Sequence, residues 1–183
     1  MLLPLCPPEG YLIERLDTSV HDRSAFSCGN NELDRFLREQ ASQAQGKSLS
    51  STYVLICSDL PPQGEARTVV GYVTHVTSQI PLAECPDKFK KLTKHLPIPV
   101  MLLARMGVDT GHQKKKLGEF LLKFALKSAW EINQLAGCHA VIVDAKDDSL
   151  KGFYSKYGFQ ELPDRPLRLY LPVGTLAEFF ERG

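Results

Sequence analysis

The residues best suited to chemistry lie between Leu102 and Leu122, where an apolar run, a polar loop and a helical pattern follow one another. The apolar run ends at Val108-Asp109, the loop spans Thr110 to Lys116, and the helical pattern opens at Leu117-Gly118. Backbone N–H groups at a helix N-terminus lack intrahelical partners, and the helix dipole favours an anion there. The loop adds three lysines: Lys114, Lys115 and Lys116. This arrangement predicts a binding site for a pyrophosphate.

Length, charge and cysteine spacing restrict the class of protein. The chain has 183 residues, 43% of them hydrophobic, which suits a single domain over residues 1–183 with a core over about 11–172. A net charge of +1 gives no global field toward nucleic acid or membrane, and no apolar run reaches the roughly 18 residues of a membrane span. The cysteines are scattered without a CxxC pair, which favours free thiols in a reducing cytosol: Cys6, Cys28, Cys57, Cys85 and Cys138.

Hydrophobic periodicity predicts an α+β fold with a mixed sheet and its ligand loop at a strand-to-helix crossover. The predicted strands are Tyr11–Leu16, Thr52–Cys57, Val69–Thr77, Val100–Asp109, Cys138–Ala145, Phe159–Leu162 and Leu167–Leu171. The predicted helices cover one face from Leu33 to Ala44, a short basic stretch at Asp87–His95 inside a proline-bounded insert, Leu117 to about Leu135, and Ser149–Tyr157. The five histidines lack metal-ligand spacing, so we expect no metal site and place them on the surface or in loops.

This order of elements resembles the GCN5-related N-acetyltransferase (GNAT) superfamily, whose acyl-CoA loop reads Gln/Arg-x-x-Gly-x-Gly/Ala. Gln113, Leu117 and Gly118 match that loop in place, while Lys116 stands where the family has its first glycine. The resemblance implies the GNAT acyl-CoA N-acyltransferase fold in one domain, with acetyl-CoA as cosubstrate. A glycine at the position of Lys116 would permit a positive φ and close approach to phosphate, both of which a Cβ obstructs. The sequence leaves open whether the lysine charge compensates.

A closer similarity covers about Tyr11 to Pro172 and concerns the GNAT toxins of bacterial type II toxin–antitoxin pairs. It rests on a series of short motifs in one order: Phe26-x-Cys28-Gly29, Leu33-Asp34-x-Phe36-Leu37, Ser51-Thr52-Tyr53-Val54, Val70-Gly71-Tyr72, Leu103-Ala104-Arg105, Val108-Asp109, Val143-Asp144-Ala145 and Phe153-Tyr154-x-x-Tyr157-Gly158-Phe159. The resemblance implies a toxin that acetylates the α-amine of aminoacyl-tRNA and blocks translation. It further implies a ribbon-helix-helix antitoxin, a homodimer and a bacterial cytoplasmic location, without a membrane partner.

The resemblance also assigns site residues. It makes Tyr154 the acid that protonates the departing CoA thiolate, with Tyr157 as the nearby competitor and an aromatic core residue as the structural alternative. Backbone groups of the central strand would bind pantetheine, and amides of the loop would bind pyrophosphate. The full set of expected cofactor-binding residues is Met106, Gly107, Val108, Gln113, Lys114, Lys115, Lys116, Leu117, Gly118, Asp144 and Phe153.

The sequence shows no clear general base. Asp109 and Asp144 stand at strand ends and serve equally well as caps of the following loops. The α-amine makes a base less necessary, because its pKa of about 7.7–8.0 leaves roughly a tenth of it neutral near pH 7. A lysine amine, with a pKa of about 10.4, is neutral to well under a thousandth.

Two lysine clusters are candidate tRNA contacts, since phosphate neutralisation drives such binding. The insert carries Lys88, Lys90, Lys91 and Lys94, and the loop lysines continue to Lys123 and Lys127. A solvated helix face explains either cluster equally well, and the phosphates of CoA compete for the loop lysines. Two other functions stay open: an acetyltransferase for protein or small-molecule amines, and a non-catalytic GNAT-fold binding partner.

Overall fold

The computed structural model describes residues 5–59 and 64–180 and contains strands and helices close to those expected from the sequence. The strands are β1 (Tyr11–Arg15), β2 (His21–Asp22), β3 (Ser51–Cys57), β4 (Arg67–Ile80), β5 (Ile98–Val108), β6 (Ala140–Asp144), β7 (Gln160–Leu162) and β8 (Arg165–Pro172). The helices are α1 (Asn31–Arg35), α2 (Ala41–Gly46), α3 (Asp87–Lys90), α4 (Leu117–Ala136), α5 (Asp148–Ser155) and α6 (Ala177–Phe180). The prolines expected to mark the β3–β4 loop, Pro61 and Pro62, lie outside the described residues.

The strands form a mixed sheet in the order β1-β3-β4-β5-β6-β8-β7, with β2 added in parallel to β4. β3 and β4 form an antiparallel hairpin, with a bulge between Leu55 and Ile56. β5 and β6 pair in parallel from Val100 to Leu102, and β5 then continues to Val108. A parallel pair requires a crossover, and α4 supplies it between these two strands. The predicted mixed α+β class is therefore confirmed.

By contact density the chain divides into two compact units. Among the described residues, the first unit comprises 5–59, 64–76 and 105–125, and the second comprises 77–104 and 126–180. β4, β5 and α4 each contribute residues to both. A single domain over 1–183 stays a prediction.

An aromatic cluster organises the core of the first unit. Tyr72 on β4 is fully buried, contacts Phe26 edge-on at 5.5 Å between ring centroids, and stacks on Phe36 at 6.4 Å. The Tyr72 hydroxyl donates to the carbonyl of Leu33 at 2.9 Å, so its polar end is satisfied. Burial of these rings holds the segment that carries α1 against the sheet.

The helical segment after Asn30 differs from the single regular helix expected over Leu33–Ala44. Asn30 caps α1, accepting from the N–H groups of Glu32 and Leu33, but a π-helical turn at Phe36–Gln40 separates α1 from α2. The Ala41 N–H bonds to the Phe36 carbonyl five residues earlier. Phe36 and Ala41 are both buried, and the extra residue per turn lets two positions five apart face the same core.

The insert in the second unit is anchored by one aromatic side chain. Phe89 on α3 is buried and contacts His139 at 4.5 Å and Tyr170 at 5.2 Å between ring centroids. The expected helix over Asp87–His95 is too long, because α3 ends at Lys90. Phe89 is its only buried residue, so no second apolar contact extends the helix.

Two of the histidines expected on the surface or in loops are buried instead. His21 and His75 are 4% and 6% exposed. β4 is buried continuously from Val69 to His75, so both of its faces are covered and alternation cannot bring His75 to solvent. Desolvation lowers the pKa of His75 to about 4, so the ring is neutral at pH 7.

Candidate active site

The strand-loop-helix unit in residues 98–136 has the expected form. β5 ends at Val108, Thr110–His112 form a 3₁₀ turn, and α4 begins at Leu117. Asp109 caps the turn: one carboxylate oxygen accepts from the Gly111 N–H at 2.9 Å, and the other accepts from the Ser27 N–H at 3.0 Å. Desolvation opposes ionisation, but these hydrogen bonds outweigh it and lower the pKa of Asp109. With both oxygens engaged, the geometry favours the capping alternative over a general base.

The lysine loop adopts left-handed backbone at two alternate positions. Lys114 has φ of 62° and Lys116 has φ of 60°, while Lys115 between them is outside the positive-φ region. Such alternation turns successive N–H groups toward one concavity that suits an anion. Lys116 thus takes the conformation that the family's glycine would take freely, and its own Cβ does not prevent it. All three side chains are exposed.

Gly118 leaves space at the N-terminus of α4. A Cβ built on Gly118 would meet nothing within 4 Å among the described atoms, so internal packing does not require a glycine. Glycine in a helix costs about 1 kcal/mol relative to alanine. The N-terminus of α4 thus combines open space, unpaired N–H groups and three exposed lysines, which form no ion pairs in the described part of the chain. This combination fits a pyrophosphate group.

Two other loop residues have mainly structural side chains. The Gln113 amide donates to the Cys28 and Val108 carbonyls, both at 3.1 Å, and so fixes the loop to the end of β5. The Leu117 side chain is 1% exposed and packs in the core. The core position of Leu117 leaves only its backbone to a ligand, whereas Gln113 is exposed but has its amide nitrogen engaged.

The end of β5 shows the alternation of a strand. Gly107 is buried against the first unit's core, where an added Cβ would approach Tyr72 Cε1 at 3.2 Å and Cys28 Sγ at 3.3 Å. Met106 and Val108 are half-buried on the other face. A Cβ at position 107 would therefore make tight contacts to which its neighbours must yield, and Met106 and Val108 are the residues that can present an accessible surface.

Tyr154 lies in the last turn of α5, a helix that Asp147 caps by accepting from the Leu150 N–H at 2.9 Å. The ring is 7% exposed and contacts Phe153 at 5.2 Å and Phe159 at 5.6 Å between centroids. Burial raises the pKa of Tyr154 to about 12, and no residue in the described ranges hydrogen-bonds its hydroxyl. The phenol is protonated throughout the physiological range.

Three other candidate residues from the sequence, Tyr157, Asp144 and Phe153, differ in burial and position. Tyr157 follows the end of α5, and Gly158, with φ of 87°, makes the expected turn toward β7. Asp144, at the end of β6, is exposed and lies 3.5 Å from the Arg168 guanidinium. Phe153 is half-buried beside the Tyr154 ring.

The insert lysines do not form the common helix face expected from the sequence. Lys88 lies over the Tyr170 ring at 4.9 Å and donates to Gln160, and Lys90 pairs with Asp87 at 3.1 Å. Lys91 and Lys94 lie beyond the end of α3 and are exposed. The insert therefore offers two uncommitted lysines rather than four.

The described residues contain no group of metal-ligating side chains and no helix long and apolar enough to cross a bilayer. All five cysteines are free thiols.

Comparison with known proteins agrees with this geometry. Residues 65–161 match the model of the acetyltransferase (GNAT) domain. A probable toxin TacT from Sinorhizobium fredii is 30% identical over 90% of this chain and 92% of its own length. A tRNA-acetylating toxin from Mycobacterium tuberculosis is 30% identical over 88% of this chain and 92% of its own. A structure of AtaT complexed with acetyl-methionyl-tRNAfMet superposes with a TM-score of 0.82 at 25% identity, covering 92% of this chain and 98% of that one.

The chain belongs to the GNAT acetyltransferase family.

Proposed function

We propose that this protein is an acetyl-CoA-dependent toxin that acetylates the α-amine of aminoacyl-tRNA and thereby blocks translation. The observation that carries the proposal is the 30% identity, over nearly the whole length of both chains, to a tRNA-acetylating toxin. The AtaT complex with acetyl-methionyl-tRNAfMet supports the same substrate class.

The cosubstrate site follows from the loop and the strand before it. Acetyl-CoA supplies the acetyl thioester. The backbone N–H groups of Gln113 to Gly118 bind its pyrophosphate, and Lys114, Lys115 and Lys116 add positive charge. The open space at Gly118 supports this assignment, because phosphate can approach the helix N-terminus there without meeting a side chain. Met106 and Val108 present the strand surface for the pantetheine arm, and an AtaT structure with acetyl-CoA supports the cosubstrate.

Tyr154 is the residue we assign to proton transfer. Its hydroxyl holds its proton until a stronger base forms beside it, because burial raises the pKa of the phenol to about 12. The departing CoA thiolate is such a base once it is desolvated in the same surroundings, and Tyr154 Oη donates to it. The α-amine needs no dedicated base near pH 8, since its own pKa is about 7.7–8.0.

The partners of the proposal are an aminoacyl-tRNA and a neutralising antitoxin of the ribbon-helix-helix type. Structures of AtaT with the C-terminus of the antitoxin AtaR and of the AtaT–AtaR complex bound to DNA support a DNA-binding antitoxin. A homodimer and a bacterial cytoplasmic location complete the proposal. Sedimentation equilibrium of the purified chain tests the dimer.

Labelled acetyl-CoA with charged or uncharged total tRNA tests the activity. We expect label only on charged tRNA, released as an acetylated amino acid by mild alkali. Equal labelling of both tRNA samples, or labelling only of added protein or polyamines, would instead establish the alternative, an acetyltransferase for protein or small-molecule amines.

A further inference from the structure

The first unit contains a pocket whose lining residues no sequence motif singles out. It has a volume of about 400 Å³ and is lined by His21, Asp22, Arg23, Ser24 and Arg38. Arg23 and Arg38 are fifteen positions apart in the chain, so no local spacing connects them. Neither guanidinium forms an ion pair with a carboxylate in residues 5–59 or 64–180.

The two arginines are held in place through part of their donor groups. Arg23 Nη1 donates to the Leu37 carbonyl at 3.0 Å, and Arg38 Nη1 donates to the Phe26 carbonyl at 3.4 Å. A guanidinium has five N–H donors in a fixed fork, so each keeps several for a ligand while its position is fixed. Two positioned guanidiniums at one pocket match the tetrahedral oxygens of a phosphate.

Asp22 gives the pocket a second chemical character. One of its carboxylate oxygens accepts from the Ser24 N–H at 2.8 Å, and the hydrogen bonds of Ser24 lower the pKa of Asp22, which keeps the carboxylate ionised. The other oxygen is an acceptor, which repels a second anion but suits a hydroxyl donor. A ligand that fits both features carries a phosphate and hydroxyl groups a few ångströms apart.

Two further features of the pocket lining are the hydrogen bonds of His21 and the π-helical backbone at Arg38. His21 is buried, accepts from the Asp17 N–H through Nδ1 at 3.0 Å, and therefore donates from Nε2 to Glu14 at 3.1 Å. Arg38 belongs to the π-helical turn at Phe36–Gln40. Such turns interrupt regular hydrogen bonding and are frequent at functional sites.

We propose that this pocket binds one phosphate–ribose unit of an RNA, with Arg23 and Arg38 on the phosphate and Asp22 on a ribose hydroxyl. The inference rests on the proposed function, because it assigns a backbone contact of the tRNA substrate to residues that do not belong to the acetyl-CoA loop. An acidic peptide would satisfy the arginines but would bring a further carboxylate close to Asp22. The mixed charge of the pocket therefore favours RNA.

Binding of labelled uncharged tRNA, without acetyl-CoA, tests the pocket. We expect Arg38→Gln to raise Kd about tenfold and to reduce the slope of log Kd against log salt by about one, the effect of losing one phosphate contact. Lys47→Gln removes the same charge from an exposed position after α2 and should leave both quantities near wild type. Arg38→Lys keeps the charge but loses the fork, and should fall between them.

The ribose contact has its own readout. Asp22→Asn should bring the affinities for an RNA and a DNA oligonucleotide of the same sequence closer together. Unchanged Kd and salt slope in a folded Arg38→Gln variant would overturn the proposal. The proposal would also be overturned if Arg38→Gln lost binding to a poly-glutamate probe but kept its binding to tRNA. Acetylation is measured separately: wild type that binds tRNA through Arg38 but does not acetylate charged tRNA refutes the proposed function and leaves the pocket standing.

Discussion

Lys116 allows a direct measurement of the strain stored in the lysine loop. Its φ of 60° lies in the left-handed region, which costs a residue with a Cβ about 1–2 kcal/mol. Lys116→Gly removes that cost but adds about 0.5–1 kcal/mol of backbone entropy to the unfolded chain. We therefore expect a net stabilisation between about 0 and 1.5 kcal/mol.

Lys115 provides the matched control. It lies in the same loop, is equally exposed and carries the same charge, but its φ is outside the left-handed region. Lys115→Gly relieves no strain and loses about 0.5–1 kcal/mol. The two variants should differ by about 1–2 kcal/mol, or about 2–8 °C in Tm for a domain of this size.

Thermal unfolding followed by circular dichroism measures this difference in Tm. Calorimetry measures how the lost charge changes the Kd for acetyl-CoA. Both variants lose one cation beside the pyrophosphate site, so we expect their Kd values for acetyl-CoA to rise by similar factors. Equal Tm values would refute the strain argument. A larger loss of stability in Lys116→Gly than in Lys115→Gly would show that the lysine side chain itself stabilises the loop.

Four further predictions concern single residues. Tyr154→Phe should lower turnover by about 10²–10⁴-fold with little change in acetyl-CoA affinity, and Tyr157→Phe should do much less; the reverse result would identify Tyr157 as the acid. Because the pKa of Tyr154 is about 12, wild-type kcat should rise with amine deprotonation to about pH 8 and then show no descending limb up to pH 10. The pKa of His75 is lower in the folded than in the unfolded chain, so the free energy of unfolding should fall as the pH falls from 6.5 toward 4, by about 2–3 kcal/mol at pH 4.5. Urea unfolding of His75→Gln should show a smaller loss over the same range. An identical loss would contradict the assignment to His75. Gly118→Ala should fold at least as well as wild type yet bind acetyl-CoA more weakly in calorimetry. Unchanged binding would place the phosphates elsewhere.

The parts of the fold that could be predicted from sequence are those with local causes. Asn30 supplies a side-chain oxygen to cap α1, and Gly137, with φ of 73°, ends α4, so both boundaries follow from residue chemistry alone. The β3–β4 hairpin follows from two β-branched runs separated by a short loop. The succession of an apolar run, a polar loop and a helix start, on which the proposed anion site rests, also follows from the local pattern.

The parts that could not be predicted depend on distant partners. His75 is buried because β4 is covered on both faces, which periodicity within β4 does not reveal. Lys88 is committed to Tyr170 and Gln160, residues more than seventy positions away, so counting lysines overstated the positive surface of the insert. Arg23 and Arg38 meet at one pocket only because the chain folds back after β2.

The left-handed backbone of Lys116 also limits how the gene can relieve the strain. Both lysine codons differ from every glycine codon at two or three nucleotides, so glycine is not reached in one step. Asparagine is reached in one step and tolerates the left-handed region better than most residues with a Cβ. Arginine is also one step away but keeps the same strain together with the charge. A single-nucleotide change to asparagine therefore relaxes the loop. The same change removes the cation beside the proposed anion site.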